Sequence, residues 1–326
     1  MNDFFYSDDI KNQEEKEVQL EDAQLRGTEP KFITLLKALL VAFAGFFAWY
    51  LINFAVQIVF SIAFSAYVAI KNPTLTRAAL EIKAMNLIYD NISLMYLIIT
   101  LAFIILFFIL QKSIGFSKHV DLVYKKPASF FIVCSILIGT FVGVVSNIGL
   151  EMMSKTLPES WVQGNNESVQ AFQGGNVYIM IIAVVVCAPI AEEIIFRGLI
   201  YNALKKIINL IPKVSTVRTR MLSMFVSAVI SSALFGVYHG NILQGLYTGI
   251  LSLFMVWIYE ISGSLFSSMI VHAAFNFAGV PTQLISGLFG NVPSIIACSL
   301  LAIAVVITVY IVKPGKVIIN NLSNLR

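Results

Sequence analysis

Along the chain, long apolar runs are separated by short polar stretches. Runs that approach the ~20 residues a helix needs to cross a bilayer predict membrane spans. Eight are found: Ile33–Ile62, Leu94–Leu110, Phe130–Met153, Val177–Tyr201, Leu222–His239, Ile242–Ile261, Leu265–Ala278 and Ser294–Val312. The first exceeds a single crossing, so it is expected to tilt or to continue past the membrane. The seventh is short and should lean or be sheltered by its neighbours. The loops between runs are too short to fold a separate soluble domain. The expected class is therefore all-α, a polytopic integral membrane protein of about eight transmembrane helices. Three regions follow: a polar acidic N-terminal tail at 1–32, a transmembrane helical domain at 33–312, and a C-terminal tail at 313–326.

Composition agrees with that solvent. Hydrophobic residues make up 58% of the chain and charged residues 12%, against roughly a quarter charged in a soluble domain. The net charge of +4 is modest, and no basic patch with interleaved aromatics is present, which argues against a nucleic-acid partner. The tail carries Asp8, Asp9, Glu14, Glu15, Glu17, Glu21 and Asp22 and lacks the layout of a cleaved signal peptide. Cys134, Cys187 and Cys298 all fall inside apolar runs, where a thiol acts as a small hydrophobe and not as part of a disulfide framework.

Orientation follows from the loop cations. Lys112, Lys118, Lys125 and Lys126 lie between the second and third runs, and Lys205, Lys206, Lys213, Arg218 and Arg220 between the fourth and fifth. Both termini are then expected in the cytoplasm of a multi-pass cell-membrane protein. The loop 71–92, with Lys71, Arg77 and Lys83, runs against this assignment.

Ionisable side chains within an apolar span are costly and mark candidate function. The run Ala188-Pro189-Ile190-Ala191-Glu192-Glu193-Ile194-Ile195-Phe196-Arg197 holds two adjacent carboxylates. Glu193 and Arg197 are one turn apart with the acid first, the favoured order for an ion pair. Glu192 points about 100° away around the helix. With no local partner, it is free to act as a general base or proton carrier. A second group is Phe235-Gly236-Val237-Tyr238-His239, whose histidine taken alone fits helix packing as well as catalysis. In the third, His272-Ala273-Ala274-Phe275-Asn276, an imidazole and a carboxamide share one helical face.

These three groups, in this order, resemble the CPBP family of CAAX proteases and bacteriocin-processing (Abi) enzymes. Its motifs are Glu-Glu-x-x-x-Arg, Phe-x-x-x-His and His-x-x-x-Asn, and Glu192, Glu193, Arg197, Phe235, His239, His272 and Asn276 meet every position. The likeness covers roughly 177–279. It implies an intramembrane endopeptidase with its active site buried in the helix bundle and membrane-associated peptide or protein substrates. It further implies that Glu192 and His239 activate a water and that His272 and Asn276 hold the oxyanion, while Glu193, Arg197 and Phe235 support them. No cofactor is required by that scheme. Zinc through Glu192, His239 and His272 is the alternative, although there is no His-Glu-x-x-His in the chain. Two other readings use the same residues: a transporter with a Glu/His proton relay, and an inactive scaffold or bacteriocin-immunity protein. Finally, Glu192 and His239 can share a site only if the turn at Gly240-Asn241 is sunk near mid-membrane. That arrangement predicts a turn whose backbone is satisfied by neighbours or by a water-filled cavity open to the cytoplasm, with Gly236 and Gly240 allowing close helix approach.

Overall fold

A computed structural model describes residues 30–120, 122, 125–171, 175–210 and 217–279. Every regular element among them is helical, in the order α1 Lys31–Lys71, α2 Arg77–Asp90, α3 Ile92–Ile114, α4 Ser129–Met153, α5 Glu159–Ala171, α6 Tyr178–Leu210, α7 Val217–Tyr238, α8 Ile242–Ser262 and α9 Leu265–Ala278. A short 3₁₀ turn, Phe116–His119, follows α3. In lipid an irregular backbone would leave its amides and carbonyls without partners, which is why apolar runs of this kind fold as helices.

Six of these helices are long and apolar enough to span a membrane, and α9 is a shorter apolar helix. The expected eighth span, Ser294–Val312, lies outside the described residues, as do Cys298 and nearly all of the acidic tail. Several bounds move. Helix α1 runs 41 residues, about 60 Å at 1.5 Å per residue, against a hydrocarbon core of roughly 30 Å. Helix α6 continues nine residues beyond Tyr201 to Leu210. The two connections read as plain loops, 71–92 and 154–176, contain α2 and α5. A period-based reading of membrane spans passes over them because neither is a continuous apolar run.

The core forms around α6. Helix α1 turns Phe43, Phe47 and Phe54 outward, whereas α6 is buried from Ala188 to Leu199 except at the half-buried Ile190. Helix α9 lies along α4 through Gly139 and Gly143, four residues apart. A Cβ on Gly139 would overlap the Val271 carbonyl oxygen, and one on Gly143 would sit 2.7 Å from Ala278 Cβ. The absence of side chains there lets the two backbones touch, which in lipid replaces the missing hydrophobic drive between helices. Replacing Gly139 with leucine should therefore push α9 off α4 and lower the thermal midpoint in detergent by several degrees or prevent folding. An unchanged midpoint would mean the contact contributes little.

Helix α7 meets α6 and α8 through small residues. Ser223, Ser227 and Ser231 recur every fourth position and are buried, with Ser231 Oγ donating to the Phe196 carbonyl at 3.1 Å. Ser252 Oγ donates to Ser232 Oγ at 2.8 Å. The close approach expected of Gly236 occurs, but its partner is Gly245: a Cβ on Gly245 would lie 2.8 Å from the Gly236 carbonyl oxygen. Gly240 has a different task from the one expected. It takes a positive φ of 76° with open space around its Cβ direction, so it makes the turn and not a helix contact. Asn241 then caps α8 by accepting from the Gln244 amide at 2.7 Å.

Candidate active site

The turn after α7 lies beside the middle of two long helices. Tyr238, the last residue of α7, packs on Phe196 with ring centroids 5.3 Å apart and on Trp49 at 6.4 Å. Both contacts fall in the middle of long helices, so α7 ends beside the centres of α1 and α6, not at their ends. A cavity of about 570 Å³ adjoins the turn, but its lining is mostly apolar and includes Val229, Val237, Ile242, Leu246 and Leu253. It opens on the flank of the α7–α8 pair, where Val237 and Leu246 are exposed.

Helix α6 is locally irregular where it carries the carboxylates. Segments Ile182–Cys187 and Ile194–Tyr201 are wound as wide π-helical turns on either side of Ala188–Glu193. Such turns often mark functional sites. One cause is visible in the sequence. The Ala188 amide bonds to Ala183, five residues back, and Pro189 has no N–H. The Val184 carbonyl therefore loses both of its possible helical donors. Asn276 Nδ2 replaces them, donating to Val184 O at 2.8 Å. Asn276 thus ties α9 to α6 at a fixed height, which in turn sets where His272, one turn earlier, meets the glutamates.

The two adjacent glutamates have opposite surroundings. Glu193 is fully buried and enclosed: Arg197 Nη1 lies 2.9 Å from its Oε1, His272 Nδ1 3.0 Å from the same oxygen, and Ser268 Oγ donates to Oε2. Arg197 is also fully buried, with its guanidinium 4.5 Å from the centroid of Phe235 and its Nη2 donating to the Ser252 carbonyl at 3.4 Å. Its Nε and Nη1 have no aligned hydrogen-bond acceptor, so opposite charge and the ring face hold it in place. The expected i,i+4 pair is formed, and it is shared with α9.

Glu192 faces the other way. Its Oε1 accepts from the Tyr96 hydroxyl at 3.1 Å. Its Oε2 lies 3.7 Å from His272 Nε2, beyond a good hydrogen bond, so this oxygen is not closed by a protein donor. Sequence reasoning missed Tyr96. A tyrosine in an apolar run carries no signal that separates it from an ordinary packing aromatic.

His239 and His272 are joined through Phe235, whose ring centroid is 4.8 Å from the first imidazole and 5.6 Å from the second. No direct ion pair links His239 to Glu192. His239 Nδ1 is 2.8 Å from the Phe235 carbonyl. A carbonyl only accepts, so Nδ1 carries the proton and Nε2 of the neutral ring holds a lone pair. Thr248 Oγ1 lies 3.4 Å from the same Nδ1. Among the described residues, no three His, Cys, Asp or Glu side chains converge to hold a metal ion.

Residues 174–278 match the family model of the type II CAAX prenyl endopeptidases, Rce1-like. This segment is a CAAX-protease core of the CPBP family. It takes in α6 to α9, and with them all seven motif residues. The chain is accordingly a multi-pass membrane protease, acting on peptide or protein substrates in a membrane setting. No curated protein and no solved structure matches the chain. Tyr96 and Trp49 stand on α3 and α1, outside the matched core.

Proposed function

We propose that this protease hydrolyses a peptide bond of a membrane-associated peptide or protein with a water activated by Glu192 and His239, without metal. The observation that supports this most directly is the division of labour in the adjacent carboxylates. Glu193 is closed by an ion pair, a histidine and a serine, whereas Glu192 keeps one oxygen open beside His272. A base needs an accessible lone pair, and only Glu192 offers one. In this reading, Glu192 takes one proton from the water as its oxygen adds to the scissile carbonyl, while His239 Nε2 orients that water by accepting a hydrogen bond from its other O–H. The new oxyanion accepts from His272 Nε2–H, a proton carried before the water adds and not transferred, and from the Asn276 N–H not used by Val184. The proton held by Glu192 then passes to the leaving amine as the C–N bond breaks. The loop lysines and arginines support a topology with both termini in the cytoplasm.

The test is cleavage of an internally quenched peptide ending in a farnesylated CAAX sequence by purified protein in detergent. The same peptide without farnesyl reads the dependence on the prenyl group. Wild-type cleavage that disappears in Glu192→Gln supports the proposal, and cleavage that persists removes Glu192 from the chemistry. Dialysis against a strong chelator should leave turnover unchanged. Activity that falls with stoichiometric loss of zinc would overturn the metal-free step.

Asn276→Ala has two expected effects, since one amide group serves two partners. Turnover should fall with little change in KM. The midpoint of unfolding should also drop, because a buried carbonyl left without a donor costs about 1–3 kcal/mol. A weaker KM at normal kcat would make Asn276 a substrate-docking residue instead.

A further inference from the structure

We infer that the Tyr96 hydroxyl positions Glu192, so that a helix outside the protease core selects which carboxylate oxygen acts. The inference rests on the proposed role of Glu192 as base. Tyr96 OH donates to Glu192 Oε1 at 3.1 Å. Behind it, the Tyr96 ring is backed by Trp49 of α1, which also packs on Tyr238 of α7. Trp49 lies 6.4 Å from both Tyr96 and Tyr238, edge-on to the first. Trp49 itself is 2% exposed.

The direction of this bond follows from its acceptor: an ionised carboxylate can only accept, so Tyr96 turns its proton to Glu192. With Oε1 held in this way, the Glu192 side chain has no freedom to rotate, and Oε2 is the oxygen presented toward His272 Nε2, 3.7 Å away. The Tyr96 carbonyl is also fixed, accepting from Thr100 Oγ1 at 3.0 Å on α3. Tyr96 is thus a positioning residue. Helix α3 does more than shield the core from lipid, because it supplies the donor to Glu192.

The experiment compares wild type, Tyr96→Phe, Tyr238→Phe and Glu192→Gln on the quenched peptides, with kcat, KM and the unfolding midpoint measured for each. Tyr96→Phe removes one hydroxyl and keeps the ring. It should lower kcat about 10–100-fold, the scale of one hydrogen bond to a charged group, with KM and the midpoint near wild type. Tyr238→Phe, which changes a neighbouring ring and leaves the Tyr96 hydroxyl in place, should keep kcat within a few-fold of wild type. Tyr96→Phe turnover within twofold of wild type, alongside an inactive Glu192→Gln, would overturn the inference and leave the base assignment standing. A joint loss of kcat, KM and stability would overturn it too, by making Tyr96 a packing residue. An active Glu192→Gln would remove the base itself, and Tyr96 would then have nothing to position.

Discussion

Glu192→Gln should lower turnover by about 10²–10⁴-fold while the protein folds as well as wild type or better. Glutamine has nearly the shape of glutamate, and its amide oxygen can still accept from Tyr96, so the packing around α3 and α6 is kept. What disappears is the lone pair able to take a proton from water, and a positioned acid–base group contributes about that factor. In free energy the loss is about 3–5 kcal/mol of transition-state stabilisation. Stability moves the other way because Glu192 is buried at 5% exposure and has no ion pair of its own comparable to that of Glu193. Exchanging a desolvated carboxylate for a neutral amide removes a cost of folding. The measurements are peptide cleavage and thermal unfolding on one preparation. Loss of activity accompanied by loss of fold would mean that Glu192 is structural.

Arg197→Gln should show the reverse pattern, with the fold failing before the chemistry does. The guanidinium sits at 0% exposure between the Glu193 carboxylate and the Phe235 ring. Without it Glu193 keeps only Ser268 and His272, and a buried charge stripped of its partner costs about 3–5 kcal/mol. Most of the total stability of a domain is of this size. Glu193→Gln should cost about as much, because it strands the arginine. The informative variant is the double one: Glu193→Gln with Arg197→Gln should be less destabilising than the two single costs added together, since no unpaired charge remains. Additive costs would show that the two side chains are not coupled, and that the ion pair does not hold α6 in register.

Much of the active site was legible because helical periodicity carries it. Glu193 and Arg197 are four apart, as are His272 and Asn276, and that spacing alone puts each pair on one face. The order of the three motifs supplied the family resemblance. Other features gave no such signal. Helices α2 and α5 are too polar to register as spans and too short to stand out. Gly139 and Gly143 are two of 19 glycines, and only the position of α9 shows why side chains are absent there. The π-wound turns of α6 had a visible trace in Pro189, but the donor that replaces the missing N–H comes from Asn276, 92 residues along the chain.

The sequence by itself determined the solvent and the secondary structure. Long apolar runs belong in lipid, and lipid leaves a single chain segment little choice but to satisfy its backbone as a helix. It also determined that charge would be buried on α6, since no arrangement of that run could bring both carboxylates to water. Tertiary structure decided which carboxylate would be open. Glu192 and Glu193 are chemically the same and adjacent, and a step of about 100° around the helix is their only local difference. That step aims one at Arg197 on its own helix and Ser268 of α9, and the other at Tyr96 of α3. Identical groups acquire different roles because each faces a different neighbour, and the packing of α1, α3 and α9 around α6 sets those neighbours.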